Sequence, residues 1–208
     1  MRLLLIRHGE TDWNVETRVQ GMTDIPLNAT GVRQARQVAQ ALAGETLAAV
    51  FASPLQRALH TAQAIAQPHH LPVYTHSGLR ELDQGDLEGM LAADIRLHPS
   101  GVSQQWAAGN LHAVVPGGES MAQLQQRAWE AVADIRRQVG DGTVVVVSHN
   151  LTTKAIICSA LDVPLIAYRR LRKENGSVTT LEFTGDHATL VRLNDVSHYA
   201  LTGEPSPA

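Results

Sequence analysis

The chain has a single cysteine, Cys158, in 208 residues. No intramolecular disulfide can form, which fits a reducing compartment. Aromatic residues make up only 4% of the chain, so Leu, Val, Ile and Ala must fill the interior. No apolar run is long enough to span a bilayer. The opening Met1-Arg2-Leu3-Leu4-Leu5-Ile6-Arg7 has too short an apolar stretch for a signal peptide and no small-residue cleavage site. Neither sign of charge dominates: 17 Lys and Arg face 20 Asp and Glu, a net −3 with neutral histidine. That balance leaves no broad basic face for nucleic acid. No repeat, low-complexity tract or Pro/Gly-rich linker interrupts the chain. Residues 1–201 are therefore expected to form one domain, and Thr202 to Ala208 a flexible tail. The setting expected is soluble and cytoplasmic, with no membrane or nucleic-acid partner.

What is present is a succession of strands and helices. Leu3 to Ile6 is a short apolar run suited to a buried strand. Between Thr30 and Leu42, Val32, Ala35, Val38, Ala39 and Leu42 recur at helical spacing. Leu47 to Phe51 is a second strand candidate. Ser53-Pro54-Leu55-Gln56 combines a capping Ser, a Pro at the first helical position and a Gln three residues after the cap, predicting a helix to about Gln67. Leu71 to Thr75 is a third strand candidate. Residues 82–118 are rich in Gly and Pro and predict short helices and loops, a lid or pocket wall. Ser120-Met121-Ala122-Gln123 is a second capping box, opening a long helix that ends near Gly140. Thr143 to Val147, with four consecutive valines, is the clearest strand, and a helix follows from Leu151 to Leu161. Ser177 to Phe183 and Thr189 to Leu193 alternate like an antiparallel pair turned at Gly185-Asp186, able to cover a sheet edge or to build a homodimer. Strands separated by helices give an α/β fold, a three-layer α/β/α sandwich on a mostly parallel mixed sheet.

In such sheets ligands bind beyond the carboxyl ends of the strands. Arg7 and His8 follow the first strand, Arg57 opens the helix after the second, Glu81 follows the third, and Ser148 and His149 follow the valine strand. Arginine forks match phosphate oxygens and stay charged. A helix N-terminus near Arg57 adds N–H donors, histidine can form a covalent intermediate, and a carboxylic acid can protonate a leaving oxygen. The set suits a phosphate monoester. Two His and a Glu could also ligate zinc, but Arg7 and Arg57 would oppose a cation, and no metal-binding spacing, phosphate-binding glycine loop or serine elbow is present. Glu10 and Glu88 compete with Glu81 for the acid's role. Tyr168-Arg169-Arg170-Leu171-Arg172-Lys173 is the one basic cluster and reads as a solvated face. Trp106, His112 and Met90 could select substrate from the lid, and Cys158 reads as a small core residue.

Leu5-Ile6-Arg7-His8-Gly9-Glu10-Thr11 resembles the signature of the histidine phosphatase superfamily, in its phosphoglycerate mutase-like branch. The likeness continues in order through Trp13-Asn14, Arg18-Val19-Gln20-Gly21, Asp24-Ile25-Pro26-Leu27, Ser53-Pro54-Leu55-Gln56-Arg57-Ala58, Leu79-Arg80-Glu81-Leu82, Gly117-Gly118-Glu119-Ser120 and Val147-Ser148-His149. This resemblance implies that His8 is the nucleophile and Glu81 the proton donor. It implies that Arg7, Arg57 and His149 bind the phosphoryl group, with Asn14, Gln20, Gly21 and Asn150 lining its pocket. It further implies a small phosphorylated metabolite as substrate, with no metal or organic cofactor. Asn150 departs from the family pattern, where a smaller residue is common. The glycolytic mutases carry Arg-His-Tyr-Gly after the catalytic Glu and a longer insertion; here Leu82-Asp83-Gln84-Gly85 follows Glu81, favouring a phosphatase. A mutase, or an idle phospho-ligand binding protein on the same scaffold, are the alternatives.

Overall fold

Val144 to Val147 are all fully buried. Successive strand residues point to opposite faces, so such a run requires cover on both sides. In the computed structural model, which describes residues 1–97 and 101–200, this strand (β4, Thr143–Ser148) lies mid-sheet. The sheet has six strands in the order β3-β2-β4-β1-β5-β6. β1 (Arg2–Arg7) and β2 (Leu47–Ala52) flank β4 in parallel, and β3 (Val73–Thr75) pairs parallel to β2. β5 (Val178–Thr184) and β6 (His187–Asp195) add an antiparallel edge beside β1.

Alternation divides the core. Leu3, Leu5, Phe51, Val144 and Val146 pack against Ala128, Ala131, Ile135 and Ile156 from α6 (Met121–Val139) and α7 (Asn150–Ala160). On the other face, Leu4, Ile6, Val50, Val145 and Val147 meet Val38, Ala58, Ala62 and Ile65 from α2 (Ala29–Leu42) and α3 (Gln56–Ala66). The result is the three-layer α/β/α sandwich with a mostly parallel mixed sheet. The chain leaves β1 toward α2 on one face and leaves β4 toward α7 on the other. That divergence between neighbouring strands opens a crevice at their carboxyl ends.

Smaller elements complete the chain: α1 (Asp12–Val15), α4 (Ala92–Leu97), α5 (Gly101–Ala107) and α8 (Ser197–Ala200). The expected tail 202–208 and residues 98–100 of the expected lid lie outside the described residues. The Ser120 capping box forms as read, with Gln123 reciprocating. The Ser53 box does not. Leu55 occupies the cap position of α3 without a side-chain cap, and Ser53 Oγ instead accepts from the Leu55 N–H at 3.3 Å. The first turn of α3 is capped from a distance, by Asp24 Oδ1 accepting from Gln56 N–H at 2.7 Å. β3 is also shorter than Leu71 to Thr75. The Leu71 N–H is taken by the Ala66 carbonyl at 3.3 Å, and Pro72 has no N–H to offer a ladder. Among the described residues, no helix is long and apolar enough to cross a membrane.

The loop after β1 is pressed onto α2 through two glycines. A Cβ on Gly31 would lie 2.0 Å from the Glu10 carbonyl oxygen, and one on Gly9 would lie 2.5 Å from the Gly31 oxygen. Gly31→Ala is expected to cost about 1–3 kcal/mol, as overpacking does, measured by urea denaturation. Wild-type stability in the variant would show that this contact is slack.

Candidate active site

His8 follows β1, and its backbone N–H continues the β1–β4 ladder to the Ser148 carbonyl at 2.9 Å. The side chain is buried. Nδ1 lies 2.6 Å from the Gly9 carbonyl oxygen, an atom that can only accept, so Nδ1 carries the proton and Nε2 keeps its lone pair. Burial first, then the charges of Arg57 and Arg7, push the imidazole well below its ordinary range, opposed by the Gly9 carbonyl. His8 is therefore neutral at neutral pH, with a free nucleophilic nitrogen.

Arg57 lies in the first turn of α3 and is completely buried. Its fork donates from Nη2 to the Gly21 carbonyl at 2.7 Å, from Nη1 to the Thr23 carbonyl at 2.9 Å, and from Nε to His149 Nδ1 at 3.2 Å. Burial lowers its pKa to about 10, which still leaves it charged near neutrality. Since His149 Nδ1 accepts, its proton is on Nε2. That Nε2, Arg7 Nε and Gln20 Oε1 are buried without a hydrogen-bond partner. Orphaned buried polar atoms are rare in folded proteins, and here two of the three are N–H donors. The Gln20 amide can turn to present its NH₂ as a third. The His149 imidazole, whose ring centroid is 5.1 Å from that of His8, is also pushed well below its ordinary range, by burial and then by Arg57.

Glu81 is buried at the N-terminus of α7. Oε1 accepts from Leu82 N–H at 2.9 Å and Thr152 N–H at 3.1 Å, and Oε2 accepts from Leu151 N–H at 3.1 Å. With one N–H on Oε2, that oxygen keeps a lone pair for a proton. The competitors have other work. Glu10 Oε1 accepts from Asn28 Nδ2 at 2.9 Å. Glu88 accepts from Met22 N–H at 2.7 Å and Thr23 N–H at 2.8 Å, fixing the loop whose carbonyls hold Arg57.

Arg7, His8, Asn14, Gln20, Gly21, Arg57, Glu81 and Asn150 line one cavity of about 160 Å³, with His149 behind Arg57. Gly21 contributes its carbonyl to Arg57 and stands at φ +52 against Glu88. Asn14 both lines the cavity and closes the capping box of α1 through its Oδ1. Trp106, His112 and Met90 are not among its lining residues; Trp106 instead donates from Nε1 to the Ala113 carbonyl at 2.9 Å. Arg18 and Gln84 also line the cavity and went unassigned from sequence. So did three groups that hold it in shape. Arg127 donates to the carbonyls of Gly78, Arg80 and Glu81 at 2.9, 2.8 and 2.7 Å and pairs with Glu119, fixing the turn that presents Glu81. Asn175 Nδ2 donates to the His8 carbonyl at 3.1 Å, and Gly176 N–H to the Arg7 carbonyl at 2.9 Å. Lys173, read as part of a solvated face, is buried. Its carbonyl accepts from Arg7 Nη1 at 2.6 Å, while its ammonium turns inward to Thr179 Oγ1 at 2.9 Å. Among the described residues, no three His, Cys, Asp or Glu side chains are grouped to hold a metal ion.

A neutral buried histidine among fixed cationic donors, with a carboxyl group opposite, is an arrangement for moving a phosphoryl group. The sequence profile of the histidine phosphatase superfamily (branch 1) matches residues 3–196. The chain belongs to that superfamily. Membership makes it an enzyme of the phosphatase type, in a family that works through phosphohistidine. The chain is 35% identical over 183 residues to a probable phosphoglycerate mutase, GpmB, of Proteus mirabilis, covering 88% of this chain and 85% of that protein. Among solved structures, it is similar to YhfR of Bacillus stearothermophilus, with TM-score 0.88 and 36% identity over 95% of this chain and 98% of that one. It is also similar to the phosphoserine phosphatase of Entamoeba histolytica solved with 3-phosphoglyceric acid, with TM-score 0.87 and 32% identity at the same coverage.

The two depressed histidines tie stability to pH. Unfolded, each titrates near ~6.5; folded, each holds its proton only well below that. The unfolded chain thus binds more protons as pH falls, so this stability is complete above about 6.5 and is lost progressively below it. Each histidine adds a slope of up to about 1.4 kcal/mol per pH unit. His149→Gln is expected to flatten the loss between pH 7.5 and 5 in urea titrations. An unchanged slope would mean that His149 does not fold as a neutral group.

Proposed function

We propose that the chain hydrolyses small phosphomonoesters through a phosphohistidine on His8. The observation that carries this reading is the His8 tautomer, fixed by the Gly9 carbonyl, beside unpartnered donors on Arg7 and His149. The lone pair of Nε2 attacks phosphorus, the phosphorus–oxygen ester bond breaks, and the Glu81 carboxyl gives its proton to the departing alkoxide. Arg7, Arg57 and His149 hold the phosphoryl oxygens as charge shifts, with Asn14, Gln20 and Asn150 closing around them. The Gly9 carbonyl steadies the phosphoimidazolium through Nδ1–H. Water then attacks phosphorus, Glu81 takes its proton, the nitrogen–phosphorus bond breaks and His8 is restored. Gln84 brings the segment 82–118 to the cavity wall, which supports a part for that segment in choosing the alcohol.

The mutase reading is kept because of the name that GpmB carries. Hydrolysis is favoured by the phosphatase named among the solved relatives and by the short Leu82-Asp83-Gln84-Gly85 connection after Glu81.

Phosphate release from p-nitrophenyl phosphate and a panel of small phosphomonoesters is expected to proceed undiminished in EDTA. His8→Ala should abolish it. Glu81→Gln should lower kcat by about 10²–10⁴-fold for alkyl esters and far less for p-nitrophenyl phosphate, whose leaving group needs little protonation. Release that survives His8→Ala would sink the phosphohistidine. Conversion of 3-phosphoglycerate to its 2-isomer without free phosphate would replace hydrolysis by mutase activity.

A further inference from the structure

Asn175 is not among the residues that line the catalytic cavity, yet it holds two that are, His8 and Asn14. Its Nδ2 donates to the His8 carbonyl at 3.1 Å and to Asn14 Oδ1 at 3.1 Å. A carbonyl oxygen can only accept, so the end of the Asn175 amide that meets His8 is its NH₂, with one hydrogen for each partner. The Asn14 amide is fixed by the same logic. Its Oδ1 meets the Thr11 N–H, which can only donate, at 3.1 Å, and also accepts from Thr11 Oγ1 at 3.1 Å. Three donors thus converge on Asn14 Oδ1. Asn14 Nδ2 takes part in none of these bonds and is the donor left for the cavity.

Asn175 is itself held from the far end of the chain. Tyr199, buried in α8, donates from Oη to the Asn175 carbonyl at 2.6 Å. That hydroxyl fills the space beside Gly176, where a Cβ would lie 2.2 Å from it, on a backbone at φ +66 that favours glycine. Gly176 N–H donates to the His8 carbonyl at 3.1 Å, so the nucleophile's peptide is gripped twice. Glu174 N–H donates to Asn194 Oδ1 of β6 at 2.7 Å, and Ser177 Oγ to the Glu174 carbonyl at 2.7 Å. The turn that carries Asn175 is therefore braced by β6 and α8.

We propose that Asn175 is a positioning residue for phosphoryl transfer: its one NH₂ group sets the spacing between the nucleophile His8 and the phosphoryl-binding amide of Asn14, and Tyr199 sets Asn175. The effect belongs to the transition state, where His8 Nε2 and Asn14 Nδ2 must reach the same phosphoryl group at once. The inference rests on the phosphatase reading of the cavity.

A double-mutant cycle of Asn175→Ala and Asn14→Ala tests it. The substrate is p-nitrophenyl phosphate, whose leaving group needs little help from Glu81, and vanadate inhibition probes the transition-state geometry. Asn175→Ala is expected to lower kcat/KM by about tenfold, mostly through kcat, and to weaken vanadate inhibition by a similar factor. With Asn14 already replaced by Ala, the same substitution should cost at most about threefold. A fold that is merely loosened would lose the same factor in both backgrounds. Asn175→Asp fills the same space but sets a carboxylate oxygen against two oxygens, and should cost more than Asn175→Ala. Tyr199→Phe should repeat the Asn175→Ala pattern more weakly. Urea denaturation identifies any variant that does not fold; should that be Asn175→Ala, Asn175→Asp carries the cycle. Wild-type kinetics in the variant that carries the cycle, equal factors in the two backgrounds, or a loss in Asn175→Asp no larger than in a folded Asn175→Ala overturns the proposal. If the wild-type chain turns over no ester, the phosphatase reading fails. The cycle is then read from vanadate affinity by calorimetry, where absence of coupling, or of vanadate binding itself, overturns the positioning role as well.

Discussion

The Arg57 guanidinium is fully buried, and among the described residues it makes no ion pair with a carboxylate. A buried charge of this kind is tolerated only when its donors are satisfied by well-placed partners. Here they are two carbonyls, of Gly21 and Thr23, and one imidazole nitrogen, of His149. The carbonyls stay in place because Glu88 ties down the N–H groups of Met22 and Thr23. Asp24, next in the same loop, caps α3, the helix that carries Arg57. One cation therefore binds together a loop, two helices and the end of β4. By claiming Nδ1 of His149, it also leaves that ring's proton on Nε2.

The same field sets the state of His8. Burial, and then the charges of Arg57 and Arg7 around the ring, make its protonation unfavourable. The same charges also make the arrival of a dianion favourable. The charge that keeps the nucleophile unprotonated is thus the charge that draws the substrate to it. Glu81 lines the same cavity from the far side of the chain, seated on the N-terminal N–H groups of α7, and Arg127 holds the backbone of its turn.

Much of this was legible in the residues. The four valines of β4 and the Ser120 box reported local patterns, and local patterns survived. The positions of Arg7, His8, Arg57, Glu81 and His149 after strands followed from the architecture, and the cavity unites four of them with His149 directly behind. What was illegible depends on partners far apart in the chain. Ser53 had the form of a cap, but Asp24, thirty-two residues from Gln56, does the capping. Glu88 and Arg127 act on backbone N–H and carbonyl groups, which every residue possesses and no pattern advertises. Lys173 belongs to a run of cations, yet its amine turns inward to Thr179 while Arg169, Arg170 and Arg172 remain exposed.

β1 is the first strand made, yet its neighbours in the sheet are β4, which begins at Thr143, and β5, which begins at Val178. At about 5–20 residues per second of synthesis, β1 waits on the order of ten seconds for a partner. During that time Leu3 to Ile6 is an apolar strand with both edges open. The nascent chain must keep it from pairing with a neighbour on the same message. His8 reaches its working geometry only once Ser148 has emerged to receive its N–H, and Asn175 to hold its carbonyl.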